Sequence, residues 1–241
     1  MSAHMMTTPN GVPAIATHTL SRRFRRVWAL RRVTLAIAQG ESVALVGPNG
    51  SGKSTLLKLI ATVLTPTRGS VSVMGRELSV AGDDVRRAVG LMSHQTYLYG
   101  DLTARENLRF AMRMHGIRRS DEELLALLAR VGLAEAAHKL LRGFSQGMSQ
   151  RLGLARALLH DPEILLLDEP YSALDPDGAR VVDRLLAERR QAGHTTVLVT
   201  HHVERALDLC ERAVALKEGQ VAFDGPVHAF AASAVTAAGR A

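Results

Sequence analysis

Apolar and polar positions alternate in short runs over the first third of the chain. His18–Arg22, Leu30–Ile37 and Ser42–Val46 read as strands, and the alternation resumes over Ser70–Met74 after the turn Thr65-Pro66-Thr67-Arg68-Gly69. Residues 84–94 read as a further strand approach. Helical periodicity follows Gly47–Gly52 over Lys53–Val63, and Leu108, Met112 and His115 carry it through a segment, Thr103 to about Lys139, expected to be helical throughout. Helices are also expected over Gly147–Leu159, Gly178–Gln191 and Val203–Cys210. Two runs do not alternate. Ile164–Leu167 is wholly apolar, the length and pattern of a parallel strand buried on both faces, and Thr195–Thr200 reads as the next apolar strand. Strands alternating with helices, and a helical insert between, predict an α/β domain with a parallel sheet and no internal repeat.

The glycine-rich break has a definite spacing. Gly47-Pro48-Asn49-Gly50-Ser51-Gly52-Lys53-Ser54, with Thr55 following, fits G-x-x-x-x-G-K-[ST] between an apolar strand and a helix. Glycines there let successive N–H groups curl around phosphate oxygens, and the helix N-terminus adds positive potential. Lys53 would reach the β- and γ-phosphates of a nucleotide, and the Ser54 hydroxyl would ligate Mg²⁺. Far downstream, the apolar strand Ile164–Leu167 ends in Asp168-Glu169-Pro170. Ligands of open α/β sheets bind at the carboxyl ends of strands. Asp168 is thus placed to hold Mg²⁺ and Glu169 to act as general base for an attacking water. His201 ends the next apolar strand and should reach the same edge, touching the γ-phosphate.

Composition narrows the class. The chain has 241 residues, 46% hydrophobic and 22% charged, enough for one large or two small domains and too apolar for disorder. No stretch approaches the ~18 apolar residues of a membrane span, and residues 1–16 lack a signal-peptide pattern. The single cysteine, Cys210, makes no internal disulfide, reads as a small buried hydrophobe, and fits a cytosolic chain. Net charge is +7, and 26 of the 30 basic residues are arginine. Residues 1–82 hold ten basic and two acidic side chains, the remainder twenty and twenty-one, so the excess sits around Arg22–Arg32. Such a cluster attracts nucleic acid, lipid headgroups or phosphates, or is simply a solvated face.

Taken together these motifs resemble the ATP-binding cassette subunit of ABC transporters over roughly residues 17–228. The resemblance implies a P-loop NTPase, RecA-like core with an antiparallel β subdomain and an inserted α-helical subdomain at about 96–150. Residues 1–16 and 229–241 are then tails. It further implies that Gln95 ligates Mg²⁺ and senses a membrane partner, and that Phe24, with Trp28 as a weaker candidate, stacks on adenine. Ser172-Ala173-Leu174-Asp175 would cross a dimer interface. The family's signature Leu-Ser-Gly-Gly-Gln is matched by Phe144-Ser145-Gln146-Gly147-Met148, in which Ser145 and Gly147 survive. Pairing of two chains head to tail would sandwich two ATP molecules between loop and opposite signature.

The expected partners are therefore a second ATP-binding subunit, as a homodimer, and a membrane-spanning permease with its transported substrate. Nucleic acid is not expected, and the chain is placed peripherally on the cytoplasmic face of the membrane. Tyr97 and Tyr99 either line a groove for the permease or pack the helical insert. Leu102–Phe110, His94–Tyr99, the signature run and Thr200-His201-His202 look most like the haem-exporter ATPase of cytochrome c maturation. The alternatives are a drug, lipid or polysaccharide exporter of the same ancestry, or a soluble cassette ATPase acting on ribosomes or nucleic acid.

Overall fold

The computed structural model describes residues 11–200 and 203–231. Among the described residues ten strands form two sheets. In the first, β1 (Ile15–Phe24) pairs antiparallel with β2 (Val27–Ile37) and with β4 (Arg68–Val73), and β5 (Arg76–Glu77) extends β4, in the order β2-β1-β4-β5. In the second the order is β10-β9-β3-β8-β7-β6, from β10 (Gln220–Pro226), β9 (Arg212–Lys217), β3 (Ser42–Val46), β8 (Thr195–Val199), β7 (Ile164–Asp168) and β6 (Val89–Met92). All its neighbours are parallel except the β10–β9 pair.

The unalternating runs have a simple cause. On β3, Val43 and Leu45 enter a core shared with the antiparallel sheet and α1 (Lys53–Ile60), while Ala44 and Val46 enter a second core on the other face. β7 divides the same way, Ile164 and Leu166 against Leu165 and Leu167, and β8 sends Val197 and Val199 one way and Leu198 the other. The second core is closed by α3 (Ala104–Met114), α4 (Asp121–Arg130), α5 (Gln146–Leu158) and α6 (Pro176–Gln191). Each fully buried Leu of these strands contributes about 1.5–3 kcal/mol relative to exposure.

Three sequence expectations are corrected. The segment 103–139 is not one helical run. Thr103 and Ser120 each start a helix with a capping box closed by Glu106 and Glu123, and Gly116 at φ 65° ends the first. A short 3₁₀ turn, Ala134–Ala136, follows. Residues 82–88 form α2 (Gly82–Ala88) and not a strand. Asp83 and Asp84 in its first turn and Arg86 and Arg87 in its last complement the helix dipole, and only Val85 is buried. The ordered domain also begins earlier than residue 17. Ala14 and Ile15 are fully buried, and Ile15 pairs with both Ile37 and Val73. At the other end, α7 (Val203–Leu209) precedes buried Cys210, whose thiol burial pushes up to about 12. Residues 227–231 are helical, and Phe230 packs on Phe223 with ring centroids 5.5 Å apart.

Where α5 ends, the His160 imidazole stacks on His115 at 4.4 Å and its Nε2 lies 3.1 Å from the Val89 carbonyl oxygen. Burial pushes His160 down to about 4, with the neighbouring His115 adding to the shift. The unfolded chain therefore binds the extra proton between about pH 6.5 and 4, and stability contributed by neutral His160 is lost as pH falls through that window. Denaturant unfolding at pH 7 and pH 4.5 should show a loss of up to about 3 kcal/mol that His160→Gln removes. Equal pH dependence in the two proteins would dismiss this account.

Candidate nucleotide-binding site

Parallel register brings the site together. Leu45 pairs with Val199, and Val199 with Asp168, so the loop after β3 and the acidic end of β7 leave the sheet at one edge. A cavity of about 360 Å³ opens there. It is lined by Phe24, Ala29, Asn49, Gly50, Gly52, Lys53, Ser54, Thr55, Asp168, Glu169 and Val199. Gly47, Pro48 and Ser51 complete the loop behind this lining.

The loop glycines are demanded by conformation and by space. Gly47 sits at φ 139° and a Cβ there would lie 2.2 Å from the Leu216 carbonyl oxygen. Gly52 sits at φ 106°, with the Ala29 carbonyl oxygen 2.5 Å from any Cβ. Lys53 is 7% exposed, and its Nζ donates to the carbonyl oxygens of Gly47 at 2.7 Å and Pro48 at 3.0 Å. Burial lowers its pKa, while Glu169 and Asp168 act against that shift. The ammonium is thus held among loop carbonyls beside two carboxylates, a position from which phosphate oxygens would be a stronger partner.

Asp168 is buried, and Glu169 follows it with φ 54°, an uncommon conformation for a non-glycine residue. Both peptide groups of Glu169 are fixed. Its N–H donates to the Val199 carbonyl at 3.0 Å, and its carbonyl accepts from Gln150 Nε2 at 2.9 Å. The Gln150 amide also donates to Ser172 Oγ at 3.2 Å. Gln150, on α5 and 6% exposed, was not singled out by the motifs. Its signal in the sequence was a polar residue on the face of α5 otherwise filled by Gly153, Leu154 and Ala157.

Of the remaining candidates, Gln95, Ser145, Gln146, Gly147 and Asp175 do not line this cavity. Gln95 is exposed in the loop after β6. Ser145 caps α5, its Oγ accepting from Met148 N at 3.2 Å, which leaves the hydroxyl proton available. Gln146 opens the same helix. Gly147 is required within the chain itself, since a Cβ would lie 2.7 Å from the Ala173 carbonyl oxygen. Asp175 spends one carboxylate oxygen capping α6 through Gly178 N at 2.7 Å. His201 lies outside the described residues. Of the two aromatics, Phe24 lines the nucleotide cavity and Trp28 lines a different one.

Two further groups brace the site's surroundings. Tyr171 Oη donates to Asp183 at 2.7 Å, and Arg205 of α7 grips both oxygens of Asp183 at 2.8 and 2.7 Å. Buried Asn107 donates to the carbonyls of Tyr99, Leu102 and Thr103 and accepts from Tyr99 N, fixing the loop beyond Gln95. On that loop Tyr97 and Tyr99 are 48% and 51% exposed, so neither is a core residue.

A glycine-rich loop wrapping a helix N-terminus, opposed by a strand-end Asp-Glu pair, defines a P-loop nucleoside-triphosphatase. The family profile described as ABC transporter matches residues 30–172. The chain belongs to the ABC transporter family, as an ATP-binding cassette ATPase. It is 39% identical over 212 residues to the glutamine transport ATP-binding protein GlnQ of Escherichia coli, spanning 86% of this chain and 88% of that one. It is 42% identical over 233 residues to the phosphonates import ATP-binding protein PhnC of Stutzerimonas stutzeri, spanning 88% and 84%. Among solved structures it is similar to the dimeric post-hydrolysis state of the ATP-binding cassette MJ0796 bound to ADP and Pi. That likeness has a TM-score of 0.82 and 30% identity, and covers 88% of this chain and 98% of that one.

Replacing Gln150 by leucine keeps the volume and deletes both hydrogen bonds. An unpaired buried carbonyl costs about 1–3 kcal/mol. Steady-state hydrolysis by Gln150→Leu should show kcat lowered about tenfold with ATP affinity nearly kept, the split expected if Glu169 takes part in the chemistry and is misplaced while the phosphate loop is intact. A matched fall in affinity, or normal kcat, would contradict the positioning role.

Proposed function

We propose that this chain hydrolyses ATP to drive transport of a substrate through a separate membrane-spanning partner, working as a head-to-tail dimer. The observation that carries this reading is the convergence of Lys53, Ser54, Asp168 and Glu169 on one cavity with Phe24 at its edge. Phe24 is 41% exposed, which leaves a ring face for adenine, and the Arg22 guanidinium lies 4.7 Å from the ring centroid.

Each residue then has one task. The N–H groups of Gly50–Thr55 and the Lys53 ammonium bind the phosphates, Lys53 exchanging loop carbonyls for phosphate oxygens. Glu169 takes a proton from the water whose oxygen bonds the γ-phosphorus as the bond to the β,γ-bridging oxygen breaks. His201 and Gln95 orient the γ-phosphate and the water. The hard oxygen donors Ser54 and Asp168 suit Mg²⁺, with Gln95 as a further ligand. When bound, the ion neutralises charge on the β- and γ-phosphates. Ser145, Gln146 and Gly147, away from this chain's own cavity, serve the partner's nucleotide, and Asp175 lies on the loop that runs between the two subunits. The dimeric state of MJ0796 supports that arrangement.

The relatives GlnQ and PhnC are named for transport and import, and this supports a membrane permease as the third component. Half-exposed Tyr97 and Tyr99 are the aromatics on this chain suited to seat it. No helix is long and apolar enough to cross a membrane among the described residues, so the permease is a separate chain or segment. Export, with haem as one cargo, rests on Leu102–Phe110, His94–Tyr99, the Phe144–Met148 run and Thr200-His201-His202. The relatives named for transport and import point the other way.

Glu169→Gln keeps size and removes the base. It should abolish turnover and accumulate an ATP-bound dimer in size-exclusion chromatography, whereas normal hydrolysis would remove Glu169 from this role. Lys53→Ala should weaken Mg-ATP binding by about tenfold or more, the loss of one or more charge-assisted contacts. Equilibrium dialysis showing unchanged affinity would mean the loop is not used this way. Capture of the Glu169→Gln protein from native membranes with Mg-ATP tests the partner. A multi-spanning permease is expected and its binding protein or cargo decides direction, while ribosomes or nucleic acid alone would refute the transporter reading.

A further inference from the structure

A second cavity, of about 460 Å³, lies on the antiparallel sheet and is lined by Thr19, Ser21, Trp28, Arg31, Arg32 and Arg68. Nothing in the hydrolytic scheme uses it. Its volume is in the range of small-molecule sites. The wall is half-buried Trp28, with the Arg23 guanidinium 5.5 Å and that of Arg68 5.8 Å from the ring.

The local backbone is shaped for this opening. The β1–β2 register shifts between Thr17 and Leu20 and again between Leu20 and Arg22, and Thr19 and Arg32 take φ of 45° and 51°. Such left-handed residues cost about 1 kcal/mol or more each. Here they are pinned by Arg32 N donating to Ser21 Oγ at 2.9 Å and Thr19 N to Thr34 Oγ1 at 3.1 Å. The bulges hold two arginine-bearing stretches around one hollow.

Charge separates this cluster from an ordinary solvated face. Many arginines elsewhere are neutralised by carboxylates: Arg76 has Asp84, Arg109 has Asp121, Arg130 has Glu188, and Arg205 has Asp183. Residues 1–82 contain only Glu41 and Glu77 as acids, and Glu41 is engaged by Arg212. Among the described residues Arg31, Arg32 and Arg68 have no carboxylate partner.

We propose that this hollow is a binding site for a phosphorylated small molecule or headgroup, a phosphomonoester, separate from the ATP cavity. A phosphate dianion presents three acceptor oxygens to several guanidinium forks at once, which a single carboxylate does not. The indole and the remaining volume accommodate the organic part. The proposal is independent of the transport reading, because it concerns a different cavity.

Trp28 is the chain's one tryptophan, so its fluorescence reports this site alone. The full chain, its ATP cavity filled with Mg-ADP, is titrated with glycerol 3-phosphate, fructose 1,6-bisphosphate and glycerol as a neutral control. A parallel titration uses phosphatidylcholine vesicles with and without phosphatidic acid. A saturable change with phosphomonoesters, absent with glycerol, is expected. It should be at least about tenfold weaker in Arg32→Glu/Arg68→Glu, the order of one lost charge-assisted hydrogen bond. Retained ATP hydrolysis shows that the variant is folded, and the milder Arg32→Gln substitutes if it is not. Saturation by the soluble esters assigns a free metabolite, and saturation by phosphatidic acid vesicles alone assigns a lipid headgroup. No saturable change with either, an equal response in the variant, or saturation by a short RNA but by no phosphomonoester overturns the proposal.

Discussion

The parallel pairing of β3, β8 and β7 is the constraint on which the rest of this molecule depends. Residues separated by more than a hundred positions, the phosphate loop and the Asp168-Glu169 pair, meet only because Leu45, Val199 and Asp168 fall in adjacent register. A slip of one residue in β7 would turn every side chain to the opposite face. It would send Leu165 and Leu167 into the wrong core and carry Asp168 away from Lys53. The two cores that β3, β7 and β8 separate therefore specify the catalytic edge as firmly as they stabilise the domain. The charge balance at Lys53 follows from this. Its amine is buried enough to be disfavoured as a cation, and the two carboxylates that register brings near it oppose that cost.

Much of this was readable before any coordinates. The spacing Gly47–Thr55, the apolar run closing in Asp168-Glu169 and the turn-bounded strands are local patterns with a local cause, and the structure places their residues around one cavity. What misled was periodicity without punctuation. Residues 103–139 carry apolar positions at helical spacing, yet two capping boxes and two left-handed glycines, Gly116 and Gly132, divide them, and caps outweigh a continuing stripe. Residues 82–88 offered one buried valine, too little apolar pattern to mark a helix whose signal is instead the order of its charges, acids first and arginines last.

The residues that escaped sequence reading share another property. Gln150, Tyr171 and Arg205 act through polar contacts with partners distant in sequence, Gln150 reaching Glu169 and Ser172, and Tyr171 and Arg205 reaching Asp183. No residue spacing announces such a bond, because its geometry is set by how helices pack on the sheet. Gly147 is intermediate. The signature motif marks it, but the reason it is glycine on this chain is the carbonyl of Ala173, visible only once α5 and the loop after β7 are packed.

Helix α5 joins these observations. Its N-terminus exposes Ser145, its middle holds Glu169 and Ser172 through Gln150, and near its end half-buried Arg156 donates to the Thr96 carbonyl at 3.2 Å and covers the Tyr97 ring at 5.5 Å. From Ser145 to Arg156 is about 16 Å of helix, too short to bend appreciably. Both tethers are rigid, one a buried bidentate amide and the other a guanidinium whose burial lowers its pKa for want of water. A force applied at any one of the three points must then be felt at the other two, since no flexible linker intervenes to absorb it. The loop that carries Gln95, Tyr97 and Tyr99 is thus tied to the position of Glu169 by one element of secondary structure. Coupling between a partner docked on that loop and the base proposed at Glu169 would need no longer pathway than this helix.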